Sequence, residues 1–261
     1  MLHQLPLHPL AFFLVLAASF AAGLIDAVVG GGGLITTPTL LLLLPGVPLA
    51  GILATTKCAS IAGTAGAAAA YSRRVSIPWR IAIPGVSAAL PAAWLGARSV
   101  SHLDPACVRP AILIVLSAMA LYTWRQPRLG LEGRAGIPLG GQTWTAAGLG
   151  MVLGFYDGFL GPGTGSMLVL ALIAWFGRDF LQASAVTKFI NGASNLGALL
   201  WFAPAGLVLW SLALPMALCN LAGGLVGSRL AMRSGNGWVR KVFLAVAVAL
   251  IARLAWALYG S

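Results

Sequence analysis

Charge is the first thing this chain lacks. Only 8% of its 261 residues are Asp, Glu, Lys or Arg, against about 25% in a soluble globular domain. So few charges cannot cover a water-facing surface, and an ordinary soluble domain is excluded. Cysteine is scarce too: Cys58, Cys107 and Cys219 are never closely spaced, which argues against a disulfide framework or a thiolate metal site. His3, His8 and His102 lie at the terminus and in a loop, so no histidine cluster is available to a metal. No metal and no cofactor is expected. Acidic residues number just five, so each one that falls inside an apolar run stands out.

What is abundant is apolar. The chain is 59% hydrophobic with a mean hydropathy of +0.93, a surplus that no single core can bury and that lipid can accept. The net charge of +11 comes from Lys and Arg placed almost entirely in short gaps between apolar runs, where such residues orient spans across a bilayer. No continuous basic face or aromatic-interleaved patch exists, so nucleic acid is not an expected partner. The stretch 9–23 ends in Ala21-Ala22-Gly23, like a signal-peptide cleavage site. However, no Lys or Arg precedes it and its pattern recurs in mid-chain, so it is read as a retained first span.

The recurrence is an internal repeat at an offset of 131 positions. Gly23, Asp26, Gly30 and Gly32 meet Gly154, Asp157, Gly161 and Gly163, and Thr56-Lys57 meets Thr187-Lys188. Trp79, Pro84, Gly96 and Arg98 meet Trp210, Pro215, Gly227 and Arg229, and Val108-Arg109 meets Val239-Arg240. Coincidences among Ala and Leu would carry little weight here, but matches among rare Asp, Lys, Trp and Pro indicate duplication.

The apolar runs follow one order in both copies: 10–29, a short 34–44, 50–71, 81–97 and 107–124, then 143–161, a short 166–176, 181–203, 208–228 and 239–258. The long runs approach or exceed the ~20 residues that cross a bilayer. Eleven helical residues reach only about 16 Å. The expected fold is an all-α polytopic transmembrane bundle of two tandem repeats, with about eight long spans and two short half-helices. Residues 10–124 form the first repeat, 125–142 the linker and 143–259 the second. The uneven spread of Arg among corresponding gaps favours inverted copies.

Three motifs could carry chemistry. The first is the glycine-rich break before each short helix: Gly30-Gly31-Gly32-Gly33, and Gly161-Pro162-Gly163-Thr164-Gly165. A break in apolar surroundings persists only where it is buried in protein or lines a cavity. It also bares the N-terminus of the next helix, whose free N–H groups favour anions. Two such ends would make a site near the membrane middle, as in transporters with discontinuous helices; the plainer alternative is close helix packing through small residues.

The second motif is the set of intramembrane charges. Asp26 and Asp157 are candidates for ion coupling, and Lys57 and Lys188 for holding a substrate anion. The alternative is a neutralised Asp–Lys pair inside each copy, holding its helices together. The third motif is a polar stripe on each lysine-bearing helix: Thr55, Thr56, Lys57, Ser60 and Thr64, and Thr187, Lys188, Asn191, Ser194 and Asn195. In lipid such a stripe faces a wet cavity or serves as interhelical glue. The candidate substrate-binding set is therefore Gly30, Gly31, Gly32, Gly33, Thr56, Lys57, Gly161, Gly163, Thr164, Thr187, Lys188, Asn191 and Asn195. Trp79, Trp124, Trp210 and Trp256, near span ends, read as interface anchors.

These residues resemble the TauE/SafE sulfite-exporter family, a group of bacterial transporters with a duplicated hydrophobic unit. The likeness runs from about Ala11 to Tyr259. It rests on Gly23 to Gly33, on Thr56-Lys57, on Gly154 to Gly165 and on Gln182 to Asn195. It implies passage of small anions such as sulfite or organosulfur compounds across the bacterial inner membrane. Cys58 and Ala59 depart from the polar residues frequent there, which implies an altered half-site in the first copy. The expected partners are a small anion and the bilayer, with homo-oligomers compatible. The rivals are a channel for small anions or neutral solutes, a structural subunit, and an intramembrane enzyme. The last needs a positioned nucleophile and base, which this sequence does not offer.

Overall fold

The computed structural model describes residues 8–99 and 136–259. Among these residues all regular structure is helical: α1 (Pro9–Val29), α2 (Gly33–Leu43), α3 (Leu49–Ser72), α4 (Trp79–Ser99), α5 (Leu139–Phe159), α6 (Thr164–Phe176), α7 (Phe180–Phe202) and α8 (Trp210–Tyr259). Local chemistry sets the boundaries. Pro48 and Pro138 stand at the N-caps of α3 and α5, Asp179 caps α7 by accepting the Gln182 N–H at 2.8 Å, and Gly177 closes α6 with a φ of 65°. α8 bends at Gly235, where φ is 75°, and its two limbs match the two last apolar runs of the sequence.

Two expectations need adjustment. The helix expected near 143 begins at Leu139, because Pro138 ends the preceding segment and Gln142 Nε2 ties the first turn to the Ile137 carbonyl at 2.9 Å. The run 107–124 and the linker as far as 135 lie outside the described residues. By length and hydropathy, two described helices are apolar enough to cross a membrane on composition alone, Pro9–Val29 and Trp210–Val239. The remaining long helices are richer in Ala, Gly, Thr and Ser, which lowers their mean hydropathy.

Contacts set the direction of each helix. Gly23 of α1 sits against Asn220 of α8, and Gly227 of α8 against Leu24 of α1; Gly63 and Gly66 of α3 meet Asn220 and Leu221. Contact positions rise together along the chain, so α1, α3 and α8 run the same way. The same holds for α4, α5 and α7, where Gly150 meets Gly85, Gly158 meets Ala93 and Gly197 meets Leu90. The two sets are antiparallel. The Gln182 amide at the start of α7 reaches Ser76 just past the end of α3, and the Leu209 N–H after α7 reaches Thr55 near the start of α3.

The main packing pairs are α4 with α5 and α7, α8 with α1 and α3, and α3 with α7 at the centre. At the closest crossings a glycine is obligatory. A Cβ on Gly158 would collide with the Ala93 carbonyl, and one on Gly227 with the Leu24 carbonyl. Small residues let backbones approach in this way, which recovers dispersion energy where no hydrophobic drive between helices exists.

The polarity of the molecule is reversed from that of a soluble protein. Phe13, Leu42 and Trp144 are 67%, 72% and 79% exposed, with many other large apolar side chains beside them. Meanwhile Lys57, Lys188, Asp157, Asn191, Asn195 and Asn220 are buried. An outer surface of this kind suits lipid, not water. Trp79 and Trp210, at the starts of α4 and α8, are both about half exposed, as interface anchors would be. Trp124 and the side chain of Trp256 lie outside the described residues.

Candidate functional site

The two glycine-rich breaks meet each other inside the bundle. Gly30 lies against Gly165 and Ser166, so closely that a Cβ at Gly30 would strike the Gly165 backbone. Its φ of 77° and the 93° of Gly31 are open to glycine at little cost. Neither short helix has a side-chain cap: α2 starts from Gly32 and α6 from Gly163. Their first N–H groups therefore depend on the loop itself and on what enters the space beside it.

That space is a cavity of about 30 Å³, lined from α1–α2 by Asp26, Gly31, Gly32, Gly33 and Thr37. The lysine-bearing helix α3 adds Thr56, Lys57 and Ser60. The second break adds Asp157, Leu160, Gly161, Pro162 and Gly165, and α7 adds Asn191 and Asn195. It has room for about one or two water molecules.

All four intramembrane charges gather here as two ion pairs. Lys57 Nζ is 2.6 Å from Asp157 Oδ2, and Lys188 Nζ is 2.8 Å from Asp26 Oδ2. The most exposed of these four side chains, Asp26, is only 14% accessible. Pairing inside each copy, the arrangement weighed from sequence, is not what forms. The lysine of each half binds the aspartate of the other. Asp157 Oδ2 also accepts Ser194 Oγ at 2.7 Å, and Asp26 Oδ1 accepts the Gly32 N–H at 3.3 Å. Asn195 Nδ2 donates to Asn191 Oδ1 at 3.3 Å, so the two amides hold each other beside the cavity.

With this geometry in view, comparison with known proteins is decisive. A family profile described as sulfite exporter TauE/SafE matches residues 15–254. The chain belongs to this family. Similar proteins include "Probable membrane transporter protein ORF9" of Sinorhizobium sp, 37% identical over 97% of this chain and 95% of that protein. "Probable membrane transporter protein YfcA" of Escherichia coli (strain K12) is 30% identical over 97% of this chain and 92% of its own length. A "Probable membrane transporter protein" of Haemophilus influenzae is 30% identical over 93% and 94% of the two chains. No solved structure matches.

Within this TauE/SafE chain the expected site residues divide. Gly31, Gly32, Gly33, Thr56, Lys57, Gly161, Asn191 and Asn195 line the cavity, together with Asp26 and Asp157. Gly30, Gly163, Thr164, Thr187 and Lys188 do not. Gly30 is consumed by the crossing with Gly165, and Gly163 serves as the N-cap of α6. The Thr164 hydroxyl turns back to the Gly161 carbonyl at 2.8 Å, and Thr187 Oγ1 is buried with no partner. Lys188 sits behind Asp26. Of the polar stripe, Thr55 acts as glue, donating to Gly51 O at 2.8 Å and accepting the Leu209 N–H at 3.1 Å. Thr37 also lines the cavity; it stands with Thr36 and Thr39 in the first turns of α2, a polar cluster outside the three motifs read from the sequence. Ser184, Ser166 and Tyr71 also bear on the site, through backbone carbonyls that no pattern of side chains announces.

Proposed function

We propose that this TauE/SafE member is a multi-pass protein of the bacterial inner membrane that carries a small oxyanion, of the sulfite or sulfonate type, by alternating access. One observation carries the reading: two uncapped helix starts and a buried lysine converge on one cavity inside an otherwise apolar-faced bundle. Helix N-termini and an ammonium group together favour a negative guest. Paired helix breaks that meet inside the bundle beside this cavity support a carrier over a standing pore.

The two sets of four helices are read as inverted copies of one unit. In support, each helix pairs with its partner at the 131-residue offset, the contacts exchange in the same way, and partners run in opposite directions. Rocking of one copy against the other would expose the cavity to each side in turn. Arg73, Arg74, Arg80, Arg178, Arg229 and Arg233 gather at the end where α1 and α3 finish, against Arg98 at the other end among the described residues. The positive-inside tendency sets the arginine-rich end in the cytoplasm. Asp157, which shares Lys57 with the incoming anion, is the group proposed to take up a proton when the anion displaces it. Asp26 is its counterpart across the cavity.

The test is flux of sulfite, thiosulfate and a simple sulfonate into vesicles reconstituted with the protein. Saturable uptake of one of these anions, lost in Lys57→Ala, is expected. Wild-type vesicles that move none of them, or Lys57→Ala vesicles that move them normally, would refute the assignment.

A further inference from the structure

The two ion pairs share an offset of 131 positions but not a setting. The last four carbonyls of a helix have no partner within it, and in α1 each of them receives a side chain from another helix. Lys188 Nζ donates to Asp26 O, Tyr71 Oη to Ala27 O at 2.9 Å, Ser184 Oγ to Val28 O at 2.8 Å and Ser166 Oγ to Val29 O at 3.3 Å. Asp26 also grips the far side of the break through the Gly32 N–H. The Lys188 side chain is wholly enclosed and lies outside the cavity lining.

At the α5–α6 break the side-chain bonds to backbone, Tyr156 Oη to Pro162 O at 2.9 Å and Thr164 Oγ1 to Gly161 O at 2.8 Å, stay within the break, and from α7 Ser194 Oγ reaches only the Asp157 carboxylate, at 2.7 Å. The positions offset from Tyr71, Ser184 and Ser166 are Phe202, Leu53 and Ile35, none of which can donate. Among the described residues, no side chain donates to the carbonyls of 157–160, and Lys57 reaches the Asp157 carboxylate but no backbone oxygen. An ammonium group offers three donors. Lys57 directs one to Asp157 and lines the cavity, with no second bond among the described residues.

Building on the transporter reading, we infer that the two halves of the site have different roles. Lys57 is the cation that meets the substrate anion, and the α5–α6 break is the part that moves. Lys188 is a positioning residue, which fixes the α1–α2 break as the immovable wall. The reason is energetic: shifting the α1 end strands the carbonyls of Ala27, Val28 and Val29 and a lysine at once, whereas shifting the α5 end frees one carboxylate from Lys57 and Ser194, and an anion can replace it at the same ammonium. Alternating access in this protein is then lopsided, although its two copies are alike in sequence order.

Hydrogen exchange read by mass spectrometry on the full chain, with and without sodium sulfite, tests this. Without the anion, amides of 157–165 should exchange at least about tenfold faster than those of 26–34, and sulfite should slow the former alone. Lys188→Gln should speed exchange across 26–34 while keeping the sulfite concentration for half-maximal flux within about threefold of wild type. Lys57→Gln should leave 26–34 unchanged and weaken the anion about 10- to 100-fold, the loss expected for one charged hydrogen bond. If Lys188→Gln does not fold, Ser184→Ala removes a single carbonyl partner and should shift 26–34 in the same direction. Equal exchange in the two breaks, or anion loss in Lys188→Gln as large as in Lys57→Gln, overturns the division of roles. Failure of sulfite, thiosulfate and sulfonate to protect any segment refutes the anion-transport reading instead, and the order of exchange still decides which break is fixed.

Discussion

Removing one charge from the Lys57–Asp157 pair, and then both, separates what the pair does for folding from what it does for transport. The charges lie 2.6 Å apart with side chains 7% and 3% exposed. At an effective dielectric near 20 their attraction is about 6 kcal/mol. Desolvating two ions costs several kcal/mol each. The intact pair therefore contributes little net stability, while deleting one member strands the other and costs about 3–5 kcal/mol. For a chain of this size that is a fall in Tm of roughly 6–20 °C.

Asp157→Asn in purified protein should show this fall in a thermal unfolding assay. The double variant Lys57→Met with Asp157→Leu, which fills similar volume without charge, should recover most of it. Sulfite flux should stay at background in the double variant, because the ammonium is gone. The reasoning fails if the double variant is as unstable as the sum of the singles, since the two groups would then not be coupled. It fails equally if the restored protein transports normally.

Other perturbations probe other parts of the argument. Gly158→Ala, which drives a methyl into the Ala93 carbonyl, should cost about 1–3 kcal/mol by overpacking; Gly140→Ala, with open space around it, should be near neutral in the same melting assay. Tyr71→Phe leaves the Ala27 carbonyl without its hydroxyl donor inside a fully buried site and should cost about 1–3 kcal/mol, measured against wild type by thermal unfolding. In a background with Cys58, Cys107 and Cys219 changed to alanine, Ser72→Cys should react with an impermeant thiol reagent only from the cytoplasmic side, and Ala205→Cys only from outside. Labelling of both from one side would overturn the antiparallel arrangement of α3 and α7.

Much of this protein is legible in one dimension because a bilayer-facing chain has few ways to place its rare residues. Poverty of charge excludes a water-facing shell. The recurrence of Asp, Lys, Trp and Pro at one offset gives the order of helices, and glycine runs mark where α1 and α5 end. Helix bounds read this way fall within a few residues of those observed, since proline, glycine and Asp179 act locally on the backbone. The four charges were visible as candidates for the same reason.

Which aspartate each lysine binds is a different kind of fact. Both pairings satisfy the same sequence, and only the antiparallel packing of α3 against α7 brings Lys57 to Asp157 and Lys188 to Asp26. The fastening of the α1 end by Tyr71, Ser184 and Ser166 is likewise a matter of tertiary structure, because backbone carbonyls carry no letter in the sequence. Residues 44 to 156 positions apart meet there through directed hydrogen bonds, and distances between helices, not spacings along one, decide which donors arrive.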